Sequence, residues 1–146
     1  MSPGELLARE RIRDTMARYN LAGDRGDLEE LALCFTETGG IELPGEGEVR
    51  GRGAILARLI LVADGLRDAA EHPLLRHHLT TSRIEFRSEN EARARSYFLA
   101  VTEIGPDHSG HYVDHFLAVD DEWLIAHRRV RIDWRAPNGL FPGPPS

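Results

Sequence analysis

At Leu74-Leu75-Arg76-His77-His78-Leu79-Thr80-Thr81 the spacing of the apolar residues changes from helical to alternating. Before this stretch, apolar residues recur at steps of three and four, which is typical of helices with one buried face. After it, apolar and polar residues alternate, which is typical of strands with one buried face. The sequence therefore predicts an α+β fold in which N-terminal helices precede a curved antiparallel sheet and pack on it.

Three helices are expected in the first half of the chain. Ser2-Pro3-Gly4-Glu5 has the capping serine, the first-turn proline and the later glutamate of a helix start. A second, short helix begins at Asp27, and a third covers 54–68 after a short strand at 41–43. The first helix carries an inward apolar stripe at three- and four-residue steps, formed by Ile12, Met16 and Tyr19.

The second half of the chain predicts a meander of four antiparallel strands. The connections between the strands, including 106–110, are short and polar, as in hairpins. Residues 1–135 are expected to form one domain, and 136–146, rich in proline and glycine, a C-terminal tail. The expected strands are 79–87, 92–104, 111–119 and 123–134.

Composition excludes several classes of function. The 146-residue chain has a formal net charge of −6, and its eighteen cationic residues are all arginine and are scattered, so we expect no nucleic-acid partner and no lysine Schiff base. No apolar run is long enough to span a bilayer, so no membrane partner is expected. The N-terminus lacks the pattern of a secretory signal and Cys34 is the single cysteine, which favours a cytoplasmic location.

Seven histidines make proton transfer the chemistry to consider first. In 111–119, alternation places His111 and His115 on one face with aliphatic residues, and we expect His115 to line a pocket between helices and sheet. Arg131 fits a pocket wall or an exposed surface equally well. Histidines four apart on a strand lie about 13 Å from each other, too far to hold one ion, so no metal site is predicted.

Two points stay open on the residues alone. Asp24 could orient a histidine, but Gly23–Asp27 also has the composition of an ordinary turn between helices. Strict alternation groups His78 with the apolar residues of its strand. A bulge near Thr80 and Thr81 would shift the register and turn His77 inward instead.

Four segments together resemble the SnoaL-like branch of the nuclear transport factor 2-like superfamily, over essentially residues 5–134. Each motif is loose by itself, but their order and spacing are fairly specific. They are Ile12-Arg-Asp-Thr-Met-Ala-Arg-Tyr-Asn-Leu-Ala-Gly-Asp24, Arg76-His77-His78-Leu79-Thr80-Thr81, Gly110-His-Tyr-Val-Asp-His-Phe116 and Trp123-Leu-Ile-Ala-His-Arg-Arg-Val-Arg-Ile-Asp-Trp134.

The resemblance implies a cone-shaped, cystatin-like fold and a small, largely apolar ligand. Family members include scytalone dehydratase, bile acid 7-alpha-dehydratase and polyketide cyclases, several of which use an Asp-His dyad without metal or cofactor. It assigns the dyad to Asp24 and His77, and it matches Tyr19 and Arg131 to a tyrosine and an arginine that act on a leaving oxygen.

We therefore predict a cofactor-independent lyase, isomerase or cyclase acting on a hydrophobic, oxygenated small molecule. Asp24, His77 and Tyr19 are the expected catalytic residues, and His115 and Arg131 the expected substrate-binding residues. The alternative is a non-catalytic ligand-binding module or the small subunit of a ring-hydroxylating dioxygenase. A homodimer or homotrimer is expected in either case, because an open sheet face bearing Tyr112, Phe116 and Trp134 needs cover.

Overall fold

The computed structural model of the protein describes residues 1–69 and 74–141. In that part of the chain, no helix combines the length and apolar character that a membrane span requires. The elements are α1 (Pro3–Arg25), α2 (Leu28–Ala32), β1 (Phe35–Glu42), β2 (Glu48–Arg50), α3 (Arg52–Ala69), β3 (Arg76–Ser88), β4 (Glu91–Thr102), β5 (Gly105–Val119) and β6 (Glu122–Arg135).

The helix boundaries follow the capping residues in the sequence. The side chain of Ser2 accepts a hydrogen bond from the backbone N–H of Glu5 at 3.1 Å, and Asp27 accepts one from Glu30 at 3.2 Å. Gly26 ends α1 in the left-handed conformation, with φ 77°, which a residue with a side chain rarely adopts. The predicted starts of α1 and α2 are confirmed.

The sheet has the strand order β2-β1-β6-β5-β4-β3. Strands β3 to β6 form the predicted antiparallel meander. Strand β1 is longer than the predicted 41–43 and pairs with β6 in parallel, with Ile41 opposite Arg128. The sheet is therefore mixed, whereas the sequence predicted a purely antiparallel one. The difference arises because β1, which precedes the third helix, pairs with the last strand, β6, and runs in the same direction.

The helices cover one face of the sheet, and the core lies between them. Alternate residues of the central strands point into this core, and the residues between them point to the outer face. The largest fully buried aliphatic and aromatic side chains of the core are Ile12, Met16, Phe35, Ile41, Ile55, Phe98, Phe116 and Ile125.

On β5, the face turned toward the helices is the opposite of the one predicted. Tyr112, Asp114 and Phe116 are buried, whereas His115 lies on the outer face. Tyr112 and Phe116 therefore need no partner subunit to cover them, and of the three aromatic residues expected on an open face only Trp134 is exposed.

A bulge explains why Arg131 also points away from the helices. Residue His115 pairs with His127, but the next residue, Phe116, pairs with Ile125, so β6 has an extra residue between the two pairs. An extra residue reverses which alternate side chains face the core. Arg128, rather than Arg131, is the arginine of β6 that enters the core.

A second bulge lies on β3, at the position where one would turn His77 inward. Leu79 pairs with Phe98, but Ser82 pairs with Ser96, so β3 has one more residue than β4 in this interval. As a result His77 turns toward the helices while His78 is exposed. The shift near Thr80 and Thr81, left open by the sequence, is therefore present.

Strand β5 begins earlier than predicted. Residues 106–110 are not a loop, because Pro106 pairs with Val101 and His108 with Ala100. Proline and glycine are usual turn residues, but a proline is also accepted at the start of a strand. This difference places Asp107 and His108 inside the sheet.

Candidate active site

Asp24 and His77 form a close pair between α1 and β3. The distance from Asp24 Oδ1 to His77 Nδ1 is 2.7 Å, and Asp24 Oδ2 accepts a 2.9 Å hydrogen bond from the backbone N–H of His77. The side chains of His77 and Asp24 are 18% and 6% exposed. Both oxygens of the Asp24 carboxylate therefore contact His77, and together they fix its imidazole ring and its backbone.

This pairing defines which ring nitrogen of His77 is available. A carboxylate beside Nδ1 favours the tautomer in which Nδ1 carries the hydrogen, and it leaves the lone pair on Nε2. Among the residues that the structure describes, Nε2 has no hydrogen-bond partner. His77 can therefore act as a base through Nε2, and Asp24 is placed to stabilise the imidazolium that forms.

Aromatic rings surround His77 on the core side. Its ring lies 5.6 Å from that of Phe98 and 6.2 Å from that of His108. Phe98 in turn stacks on Tyr112, with ring centroids 4.7 Å apart. Burial raises the pKa of Tyr112 well above its ordinary value, so its hydroxyl stays protonated at neutral pH.

A second carboxylate–histidine pair lies next to the first. Asp107 Oδ1 lies 2.8 Å from His108 Nδ1, and both side chains are almost fully buried. Phe141, from the segment after β6, packs on the His108 ring at 4.8 Å. The described part of the tail, 136–141, thus lies against this pair.

Arg128 occupies the core between two tyrosines. Its guanidinium lies 4.2 Å from the ring centroid of Tyr19 and 3.9 Å from that of Tyr112. It forms two hydrogen bonds with Asp114, at 2.7 and 2.8 Å. Burial alone would lower the pKa of Arg128, but Asp114 more than offsets that and raises it, so the side chain remains a cation.

Two buried donors near these rings have no hydrogen-bond partner within the described ranges, 1–69 and 74–141. They are Arg128 Nη1 and Asn20 Nδ2. The other end of the Asn20 amide accepts a 3.2 Å hydrogen bond from the hydroxyl of Tyr112. A buried donor left unpaired costs about 1–3 kcal/mol, so these two atoms lower the stability of the folded protein.

Comparison with protein families places this site in a known context. Residues 4–129 match the SnoaL-like domain. The chain belongs to the SnoaL-like family. A comparison with curated proteins finds no match.

Several solved structures share the fold. Rv3472 from Mycobacterium tuberculosis, a function unknown protein, is 32% identical, with a TM-score of 0.75 over 91% of this chain and 77% of that one. A "Putative Scytalone Dehydratase" from Novosphingobium aromaticivorans is 27% identical, with a TM-score of 0.76 over 99% and 100%. LinA, at 20% identity and a TM-score of 0.75 over 97% of both chains, shows the likeness of fold alone.

Within this SnoaL-like domain, the structure brings together Asp24 and His77 but only some of the other predicted residues. Tyr19 is buried on the far side of Tyr112, where its ring packs on Arg128. Burial raises the pKa of Tyr19 and the charge of Arg128 offsets part of that effect, so the hydroxyl stays protonated at neutral pH.

His115 and Arg131 are separated from Asp24 and His77 by the sheet itself. His115 Nε2 lies 2.8 Å from Glu91 on the outer face, and Arg131 is opposite His111. The expectation that they line the pocket is wrong, because it assumed the other face of β5 and an unbroken alternation along β6.

Sequence reasoning missed Arg128 and the pair formed by Asp107 and His108. The alternation Tyr112-x-Asp114-x-Phe116 did contain one signal, since an aspartate between two aromatic residues requires a buried cation if that face is buried. Asp107 and His108 gave no such signal, because their neighbours Pro106 and Gly110 suggest a turn.

Cys34 is not available as a nucleophile. The thiol is buried in the core, and burial raises its pKa to about 11. The reactive form of cysteine is the thiolate, which is scarce at neutral pH in such a site. Within the described residues, no group of three or more side chains of histidine, cysteine, aspartate or glutamate is placed to hold a metal ion.

Proposed function

We propose that this SnoaL-like protein is a cofactor-independent lyase, isomerase or cyclase, similar to a dehydratase, that removes a proton from carbon in a hydrophobic, oxygenated small molecule. The observation that carries the proposal is the 2.7 Å contact between Asp24 and His77. Membership of the family and 27% identity to a "Putative Scytalone Dehydratase" support the same class of reaction.

In this proposal, His77 Nε2 accepts the proton from an acidic C–H group of the substrate. The positive charge that develops on the imidazole lies beside the carboxylate of Asp24, which lowers the energy of the charged state. The two bonds from Asp24 also hold the ring still, so that little reorganisation is needed during the reaction. The same proton can then be returned to another atom of the substrate, which gives isomerisation, or to a departing oxygen, which gives dehydration.

Arg128 takes the role that the sequence assigned to Arg131. Its Nη1 is a buried donor without a protein partner, and Asn20 Nδ2 is another. Neither atom is exposed, so in this proposal Arg128 acts on a developing negative charge through its electrostatic field and not through a direct hydrogen bond. Tyr19 packs on Arg128, and in this proposal its protonated hydroxyl is the donor to the substrate oxygen.

The walls of the site favour a flat, apolar substrate. Phe98, Tyr112 and Phe141 present aromatic rings near the two histidines. Aromatic side chains bind planar carbon skeletons through their faces and edges. We therefore propose a polyketide, steroid or aromatic ring compound with at least one oxygen as the substrate.

The test is proton exchange at carbon. Hydroxylated and carbonyl-containing polyketide, steroid and aromatic compounds are incubated with the protein in D2O, and loss of C–H signals is followed by NMR. His77→Asn preserves a donor toward Asp24 but lacks Nε2, so the exchange rate is expected to fall about 100-fold or more. His111→Asn is the matched control, because His111 also pairs with a carboxylate, Asp133, but on the outer face.

A compound that exchanges equally fast with wild type and His77→Asn would contradict the proposal. A protein that binds such compounds but exchanges none of them would instead be the non-catalytic ligand-binding module. Co-purification with a larger iron protein would favour the dioxygenase subunit. We also propose a homodimer or homotrimer, which sedimentation of the purified protein tests directly.

A further inference from the structure

The Asp107–His108 pair is built as firmly as the Asp24–His77 pair, yet the proposed reaction does not use it. His108 Nδ1 lies 2.8 Å from Asp107 Oδ1. Asp107 Oδ2 accepts two further hydrogen bonds, from the hydroxyl of Thr102 at 3.0 Å and from the backbone N–H of Leu140 at 2.6 Å. These contacts come from β4, β5 and the tail, so several distant segments converge on one imidazole.

These contacts determine the tautomer of His108. Burial raises the pKa of Asp107, but the hydrogen bonds from His108, Leu140 and Thr102 outweigh it and lower the pKa overall, so the carboxylate is charged. A charged carboxylate accepts a hydrogen from Nδ1 and leaves the lone pair of His108 on Nε2. In the described part of the chain, Nε2 has no hydrogen-bond partner.

His108 lies beside His77. The two rings are nearly perpendicular, at 77°, with centroids 6.2 Å apart, and both lie against Phe98, at 5.6 and 5.9 Å. A ligand of one or two fused rings resting near Phe98 spans a distance of this order. One molecule can therefore reach both imidazoles.

We propose that His108, positioned by Asp107, is a substrate-binding residue whose Nε2 accepts a hydrogen bond from a hydroxyl group on the same molecule from which His77 takes a proton. This inference rests on the proposed function and narrows its substrate class to hydroxylated ring compounds. Phe141, which packs on the His108 ring and is partly exposed, provides the apolar contact that such a ring requires.

The charge of His108 agrees with this role. Burial lowers the pKa of His108, and the neighbouring His77 and Arg135 lower it further, while Asp107 opposes the change without reversing it. A neutral imidazole at neutral pH is an acceptor at Nε2. It attracts the hydrogen of the bound hydroxyl group and so increases the electron density on the hydroxyl oxygen. That polarisation assists loss of a leaving group or migration of a double bond elsewhere in the ring system.

Two naphthalene probes test the inference without turnover. Binding of 2-naphthol, which has a hydroxyl donor, and of 2-methoxynaphthalene, which lacks it, is measured by NMR titration of the wild type and of His108→Asn. Asparagine keeps a donor toward Asp107 and deletes the acceptor at Nε2. The wild type is expected to prefer the naphthol by about threefold to tenfold, as one hydrogen bond allows, and His108→Asn to lose that preference.

His77→Asn is the matched variant, because it deletes the other Nε2. It is expected to keep the preference for naphthol while losing proton exchange, so that failure of the inference and failure of the proposed function are distinguishable. A ratio of affinities that is unchanged in His108→Asn, or probes that leave the His108 ring signals unmoved, would overturn the inference.

A second measurement needs no variant. The ring nitrogen shifts of His108 in the wild-type protein report the tautomer directly, and the Nδ1–H form is expected. An Nε2–H form would remove the acceptor and overturn the inference even if the variant failed to fold.

Discussion

Ile125 and Arg128 lie three residues apart on β6, and yet both side chains are fully buried on the face turned toward the helices. In a regular strand such residues point to opposite faces. The bulge opposite His115 and Phe116 removes that opposition. It brings a guanidinium into the core, where Asp114 neutralises it and two tyrosines enclose it.

Arg128→Met is expected to destabilise the protein by about 3–5 kcal/mol, because it leaves the buried carboxylate of Asp114 without its cation. Chemical denaturation measures the free energy of unfolding. Arg131→Met, on the outer face of the same strand, is the control and should change it by less than about 0.5 kcal/mol. The double variant Arg128→Met with Asp114→Leu should recover most of the loss. Equal losses of stability in Arg128→Met and Arg131→Met would contradict this assignment of faces.

Asp24→Asn should lower the free energy of unfolding by about 1–2 kcal/mol. The amide has one acceptor in place of two, so it cannot accept from both the ring and the backbone of His77. Asp133→Asn removes the charge from the exposed pair with His111, and its effect should be below about 0.5 kcal/mol. A loss at Asp24→Asn below about 0.5 kcal/mol would show that the contact between α1 and β3 is not structurally important.

The depressed pKa of His108 predicts a pH dependence of stability. A buried histidine with a lowered pKa binds its proton less readily in the folded state than in the unfolded state, whose histidine pKa is about 6.5. Stability from this source is therefore complete above that pH and is lost as the pH falls below it, by at most about 1.4 kcal/mol per pH unit for one proton.

Unfolding of the wild type and of His108→Asn between pH 8 and pH 5 checks this effect. The variant should lose less stability than the wild type over that interval, whatever its stability at pH 8. Asp107 does not interfere, because its lowered pKa affects stability only as the pH falls through about 3.8 and below. A steeper loss of stability in His108→Asn than in the wild type would show that folding raises the pKa of His108 instead of lowering it.

Deletion of residues 140–146 should open the site at His108. The deletion removes the N–H of Leu140 from Asp107 and the ring of Phe141 from His108. Hydrogen exchange at the C2 carbon of each imidazole reports its access to solvent, and exchange at His108 should become severalfold faster. His111, on the outer face, is the internal reference and should exchange as before. An unchanged rate at His108 would mean that the tail does not protect it.

Much of the fold could be predicted because its signals are local. Ser2, Asp27 and Gly26 mark helix ends through contacts with residues at most four positions away. Strands β3, β4 and β6 begin and end within three residues of the predicted limits, because a strand with one buried face alternates wherever it lies. Strand β5 is the exception, since Pro106 and Gly110 imitate a turn.

The candidate site was only partly predictable. The order of the family's motifs pointed to Asp24 and His77, and the structure places those two in contact. Their catalytic role remains a prediction. His115 and Arg131 were assigned to the pocket from alternation alone, and alternation states which residues share a face but not which face is covered.

The sequence by itself determined the α+β class, the helix ends, the meander and the membership of the SnoaL-like family. Only the tertiary structure decided which side of each strand lies under the helices. The reason is that each bulge is one extra residue in a ladder of hydrogen bonds between two strands, and the position of that residue depends on the partner strand rather than on local composition. The same holds for His108, whose surroundings come from Thr102, Phe98 and Phe141.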